Sequence, residues 1–146
     1  MKRSLVLGLG LAVVLAVSHA LAEDKAAPKC PISGGDISKD ASVEYKGGKV
    51  YFCCNGCPAK FEKDQAKYAT KANHQLAVTG QVEQVGCPLS GGKLDPSTKL
   101  KVCGIDVCFC CSHCKDKVAK ASEKEQCEMV FGDKAFDKAF KAKKSQ

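Results

Sequence analysis

Four cysteines of this chain occur twice in the same register: Cys30, Cys53, Cys54 and Cys57 return 57 residues later, without a gap, as Cys87, Cys110, Cys111 and Cys114. In each copy 22 residues separate the first cysteine from the second, and 3 separate the second from the last. Thiolates at such spacing suit zinc or copper(I) better than hard cations, which prefer oxygen. The same residues offer two other chemistries. Cys54-Asn55-Gly56-Cys57 and Cys111-Ser112-His113-Cys114 are Cys-x-x-Cys pairs at helix starts, as a thiol-disulfide oxidoreductase would need. Eleven cysteines in a short chain also fit a disulfide framework, in which an odd count leaves at least one thiol unpaired.

The elements that must position these thiols repeat as well. Each copy opens with Cys-Pro-x-Ser-Gly-Gly, residues 30–35 and 87–92, where proline fixes one backbone angle and glycines permit positive ones, giving a tight knuckle. The alternating runs 43–46 and 49–52 read as strands joined by a two-residue turn at Gly47-Gly48. The second copy places its turn at Gly104-Ile105, between strands 100–103 and 106–109. Helical patterns follow over 58–68 and 115–126, with Pro58 suited to the first helical position and Cys57 at the cap. Helix amides there would lower the pKa of Cys57 and Cys114. The expected fold is therefore small α+β, two tandem treble-clef-like units whose knuckle thiol meets the two thiols at the strand-to-helix junction.

The remaining segments are read more coarsely. The connector 69–86 carries Leu76, Val78, Val82 and Val85, broken by Gly80, and fits one or two short strands or an ordered link. Residues 127–131 suggest a strand, Asp133 a helix cap, and Phe136 with Phe140 a core-packing stripe. Lys141, Lys143 and Lys144 form a basic tail. The organisation expected is a signal peptide (1–22), a linker (23–29), unit 1 (30–68), the connector (69–86), unit 2 (87–126) and the C-terminal strand, helix and tail (127–146).

The N-terminal 22 residues read as an export signal: Lys2 and Arg3, an apolar stretch over 5–17, and a small-residue cleavage site at Ala20-Leu21-Ala22. Export to the periplasm or beyond is the expectation, with no membrane attachment after cleavage; an uncleaved anchor is the alternative. Cys30 lies too far downstream to be a lipidation site. Loss of Lys2 and Arg3 leaves 21 basic against 16 acidic side chains, a modest excess that favours solvated lysine faces over nucleic-acid binding. Each unit spans only about 40 residues, a size at which a disulfide or a metal usually has to assist folding.

The knuckle, the strand Val50-Tyr51-Phe52-Cys53-Cys54, and Cys57 followed by Phe61 and Tyr68 resemble a YHS domain of the TRASH-like group. The chain as a whole is similar to a tandem protein of the exported bacterial type. That resemblance implies heavy-metal trafficking, sensing or resistance, with Cys30, Cys53 and Cys57 as metal ligands, and likewise Cys87, Cys110 and Cys114. The resemblance names no metal; the soft thiolates point to zinc or copper(I), one ion per unit, and a metal-donor or acceptor protein is the expected partner. Three thiolates per unit fall short of the four of a closed structural zinc site, whereas copper(I) accepts three. Cys54 and Cys111 rank second, either serving in transfer or filling the small core. His113 stands beside Cys114, but its counterpart is Gly56, so no role can be shared; His74 reads as a surface histidine.

Cys103, Cys108 and Cys127 belong to the second unit alone. With the turn at Gly104-Ile105, Cys103 and Cys108 are diagonal neighbours about 7 Å apart, too far for an easy disulfide. Either one paired with Cys127 is equally open, and such a bridge would leave the second unit less competent for metal. The leading expectation is a non-catalytic metal-binding protein acting as chaperone, buffer or sensor. A thiol-disulfide redox protein and a disulfide-stapled interaction module without metal are the alternatives; against the redox reading stands the lack of a thioredoxin-like βαβ pattern.

Overall fold

The two alternating runs close as hairpins, but each turn falls one residue earlier than the sequence reading places it. In the computed structural model, which describes residues 26–143, β1 (Ser38–Tyr45) pairs antiparallel with β2 (Gly48–Phe52), and Tyr45 faces Gly48. The turn is therefore Lys46-Gly47, with φ of 48° and 79°. In the second copy β4 (Asp95–Val102) pairs with β5 (Ile105–Phe109) around Cys103-Gly104, at 49° and 78°. Two successive positive φ values define the turn whose twist matches a hairpin, and it wants glycine second. Lys46 and Cys103 thus take the left-handed conformation that non-glycine residues avoid.

Both strained residues are tied to the rest of the molecule. Lys46 reaches the carboxylates of Asp133, at 2.8 Å, and Asp137, linking the first hairpin to the C-terminal helix. Cys103, lifted out of the ladder, forms a disulfide with Cys127, the Cα atoms 6.0 Å apart. The diagonal placement of Cys103 against Cys108 is overturned by this register, and Cys108 stays free. His74 fixes the same turn, its Nε2 lying 2.7 Å from the Cys103 carbonyl oxygen and its ring edge-on to Phe131. It is a half-buried structural residue rather than a surface one.

The helical part is more segmented than the apolar pattern suggests. α1 (Cys57–Lys63) stops at Asp64, whose carboxylate accepts the Lys67 amide and caps α2 (Gln65–Val78). The expected single helix over 58–68 is thus two, and the first part of the connector is helical, not strand. Ala69, Ala72 and Leu76 recur at helical spacing and are buried. In the second copy α3 (Ser112–Ala119) yields to α4 (Glu123–Phe131), opened by a capping box between Ser122 and Glu125. Residues 127–131, read as a strand, are therefore the end of a helix. Gly132 separates α4 from α5 (Asp133–Ala139).

Each copy ends in a short strand, β3 (Val82–Gln84) and β6 (Phe140–Ala142), and these two pair antiparallel with each other. Hence Lys141 lies in a strand, not in a tail. One continuous core runs through both copies, including Phe52, Phe61, Leu76, Phe109, Phe131 and Phe136. Phe136 stacks on Phe140 with ring centroids 4.9 Å apart, so the phenylalanine stripe is core. α2 sits between the units, and the buried Asn73 donates to the Phe131 carbonyl at 2.9 Å. The small α+β architecture with two cysteine-cluster units stands as expected, although the segment read as a signal peptide and Lys144 lie outside the described residues. Among those described, no helix is long and apolar enough to cross a membrane.

The disulfide closes a 24-residue separation, a constraint worth about 3 kcal/mol through the unfolded chain. The double variant Cys103→Ala/Cys127→Ala should lose about that much in urea unfolding. A loss under about 1 kcal/mol would show that the left-handed turn holds without the bridge.

Candidate metal centres

Each knuckle is closed by its own backbone. The Cys30 amide donates to the Gly35 carbonyl at 2.9 Å and the Gly34 amide returns to the Cys30 carbonyl at 2.8 Å. Gly34 takes a φ of 76°, which the glycine makes inexpensive. Cys87, Gly91 and Gly92 repeat this arrangement at 2.9 and 2.7 Å. The Ser33 hydroxyl accepts the Gly35 amide and donates to the sulfur of Cys53, both at 3.2 Å. Ser90 does the same between Gly92 and Cys110, at 3.1 and 3.2 Å. A serine thus connects the knuckle to the far thiol, a role the sequence reading did not assign although both serines were visible in the repeat.

A second connection is made by glutamine. Gln75 is 1 % exposed, and its amide reads the edge of β2 as a neighbouring strand would. The Tyr51 N–H donates to its Oε1 at 2.7 Å, and its Nε2 donates to the carbonyls of Tyr51 and Lys29, both at 2.8 Å. One side chain therefore joins the strand that leads into Cys53 to the residue preceding Cys30. In the second unit Gln84 makes the equivalent bonds, accepting from the Cys108 N–H at 2.9 Å and donating to the Cys108 and Gly86 carbonyls at 2.7 and 3.1 Å. These glutamines occupy different places in the repeat, since 57 residues after Gln75 comes Gly132. The duplication could not reveal them.

Held in this way, the sulfurs of Cys30, Cys53 and Cys57 lie within 4.8 Å of one another, and so do those of Cys87, Cys110 and Cys114. Cys53 and Cys57 are 3.6 Å apart, as are Cys110 and Cys114. Three sulfurs about 2.3 Å from one ion would stand about 3.8 Å from each other, so both groups could hold a metal ion with small adjustment. Among the described residues no other His, Cys, Asp or Glu joins either group; His113 does not. Cys54 and Cys111 are exposed, which rules out core filling. They stand 3.9 and 3.8 Å from Cys53 and Cys110, and Cys54 is also 3.5 Å from Cys57. The Cys103–Cys127 bridge uses neither set, so the second group keeps its three thiols.

The anionic position is the knuckle, not the helix start. At Cys30 burial works upward, but the Ser33 amide and hydroxyl and the amides of Cys53 and Ile32 outweigh it and lower the thiol to about 6. Cys87 is likewise lowered to about 6 by Ser90, Cys110 and Leu89 against the same burial. Burial pushes Cys57 and Cys114 up to about 12, reinforced by hydrogen bonds with neighbouring thiols and by the knuckle thiolate. The expectation of a lowered thiol at the helix start is thereby corrected: burial, with the neighbouring thiols adding to it, outweighs what the first amides of the short helices α1 and α3 supply. Within each group the knuckle thiol is thus the readiest to ionise, and the helix-start thiols Cys57 and Cys114 would need a positive charge beside them to give up their protons.

Residues 28–72 match the YHS domain family, a stretch that covers the first unit through most of α2. No curated protein and no solved structure matches the chain.

Replacing Gln75 by Leu strands the Tyr51 N–H and two carbonyls. It should cost about 3 kcal/mol in urea unfolding, and about the same is expected for Gln84→Leu. If the clamp sets thiol spacing, each variant weakens cadmium-thiolate absorbance in its own unit; equal weakening of both groups would show a general loss of fold instead.

Proposed function

We propose that this chain is an exported metal-handling protein that carries zinc or copper(I), one ion in each unit, and acts as a chaperone or buffer. The observation that carries the reading is the pair of three-thiol groups, each drawn together by backbone and side-chain hydrogen bonds. A purely structural zinc site would bring four ligands, so three with an exposed thiol beside them favour an ion that comes and goes. The match of residues 28–72 to the YHS domain supports the same chemistry for the first unit. Export is supported by the charged and apolar N-terminal sequence and by the Cys103–Cys127 disulfide, a bond that persists in oxidising compartments. The partner is then a donor or acceptor protein with ligands of similar softness.

Intact mass of the mature protein, native and denatured, tests this. About two ions should be lost on denaturation, by the one-per-unit reading of the thiol groups. Cys57→Ala should abolish binding in the first unit and leave the second loaded; protein that is metal-free with its six cluster thiols bridged would sink the proposal. Affinity must also depend on pH. Cys57 has to lose a proton held up to about 12, so protons compete with metal, and binding strengthens as pH rises. Between pH 6.5 and 8 the apparent affinity should climb at least about tenfold per pH unit in chelator competition.

The 3.5 Å approach of the exposed Cys54 to the buried Cys57 favours a second reading, a dithiol that exchanges with substrate disulfides. Turnover of a mixed-disulfide substrate by metal-free protein, lost in Cys54→Ser, would establish it; no turnover at a thousandfold substrate excess excludes it, on the order of what exchange proteins sustain.

A further inference from the structure

Two exposed thiols remain outside the three-sulfur groups, each beside the second thiol of its own unit. Cys54 lies 3.9 Å from Cys53 and Cys111 lies 3.8 Å from Cys110, each on the solvent side of its group. They contribute no packing, because they are exposed, and no disulfide, because both are free. In the first unit Cys54 also touches Cys57 at 3.5 Å, so one sulfur borders two of the three. A thiol at this position can reach an ion in the group without any change of fold.

We propose that Cys54 and Cys111 are exchange ligands, which bind the ion during hand-over and present it to a thiolate acceptor. This rests on the metal-handling reading above and adds the route by which the ion leaves. Three-thiolate sites hold soft ions tightly enough that release of a bare ion is slow, so transfer has to proceed through added ligands. Cys54 supplies the first of these from within the chain, where tethering gives it a high effective concentration at the ion. In the step, a metal–sulfur bond forms to Cys54 as the bond to Cys57 breaks, and the proton released by Cys54 passes to Cys57. No oxidation is involved. The ion is then bound to Cys30, Cys53 and Cys54, and successive acceptor ligands displace Cys30, Cys53 and finally Cys54, one metal–sulfur bond forming as each breaks and each acceptor thiol's proton passing to the cysteine released. The acceptor chemistry implied is a protein or peptide site with two or more cysteines.

The test uses the full mature chain loaded with zinc, and a synthetic Cys2His2 zinc-finger peptide as the acceptor, followed by stopped-flow. Cys54→Ser/Cys111→Ser should still bind zinc with an equilibrium affinity within about threefold of the wild type, while its transfer slows by about tenfold or more. Iodoacetamide applied to zinc-loaded wild type should label Cys54 and Cys111 and spare the six cluster thiols. Transfer at the wild-type rate overturns the proposal. So does protection of Cys54 together with a large fall in affinity, which would make it a permanent fourth ligand. Wild type that binds no zinc or copper(I) overturns the metal-handling reading itself, a failure distinct from that of the exchange step.

Discussion

Three sulfurs drawn from segments 22 residues apart are brought within 4.8 Å of one another in each unit, and the knuckle, the hairpin and the side chains that clamp them all serve that convergence. A thiol near two others loses its proton reluctantly, so proximity alone is unfavourable once one of them ionises. The structure meets this by concentrating donors at one sulfur. The knuckle amides and a serine hydroxyl surround Cys30 and Cys87, and a glutamine amide ties the residue before the knuckle to the strand that leads into the second thiol. Peptide groups and two neutral side chains thereby orient the thiols of each group.

That rigidity would be out of reach for either unit alone. A hairpin and two short helices enclose little apolar volume, and the core is continuous only because α2 is shared between the two halves. The strained residues of the two hairpin turns contribute in different ways. Lys46 is held by two carboxylates of the opposite unit, whereas Cys103 is held covalently within its own. Ion pairs half open to solvent are weak individually, so the covalent tie makes the second hairpin the more firmly anchored of the two.

The thiol groups were legible in the sequence because duplication sets functional spacing apart from accident: residues kept at a constant offset stand out without any structure. The hairpins were legible from alternation, but not their register, since two adjacent glycines at 47–48 leave open which is the second turn residue; the preference for glycine after a left-handed residue decides it. Residues 69–78 and 127–131 were misread for a common reason. Small buried residues such as Ala69 and Ala72 carry little hydrophobic signal, so Leu76 and Val78 dominate and look like alternation. The Ser122–Glu125 capping box was present as a helix start and outweighs the β-branched and aromatic residues that follow it. Gln75 and Gln84 leave no mark in the repeat because they do not share an offset, while the fold requires only that some amide reach the strand edge. The thiol acidities could not be foreseen, because they depend on which sulfur the knuckle amides face.

The pairing of β3 with β6 has a meaning for how such a molecule is put together. The two strands close their respective units at nearly matching positions, and their antiparallel register is centred so that each plays toward the other the part that the other plays toward it. This is the relation between identical subunits about a two-fold axis, written into a single chain. Neither half contains a mate for its own closing strand, so the halves are complements before they are copies. Fusion turns what would be a concentration-dependent encounter into a permanent one, and it frees the two copies to diverge, as the disulfide in one and the unbroken α2 in the other already record.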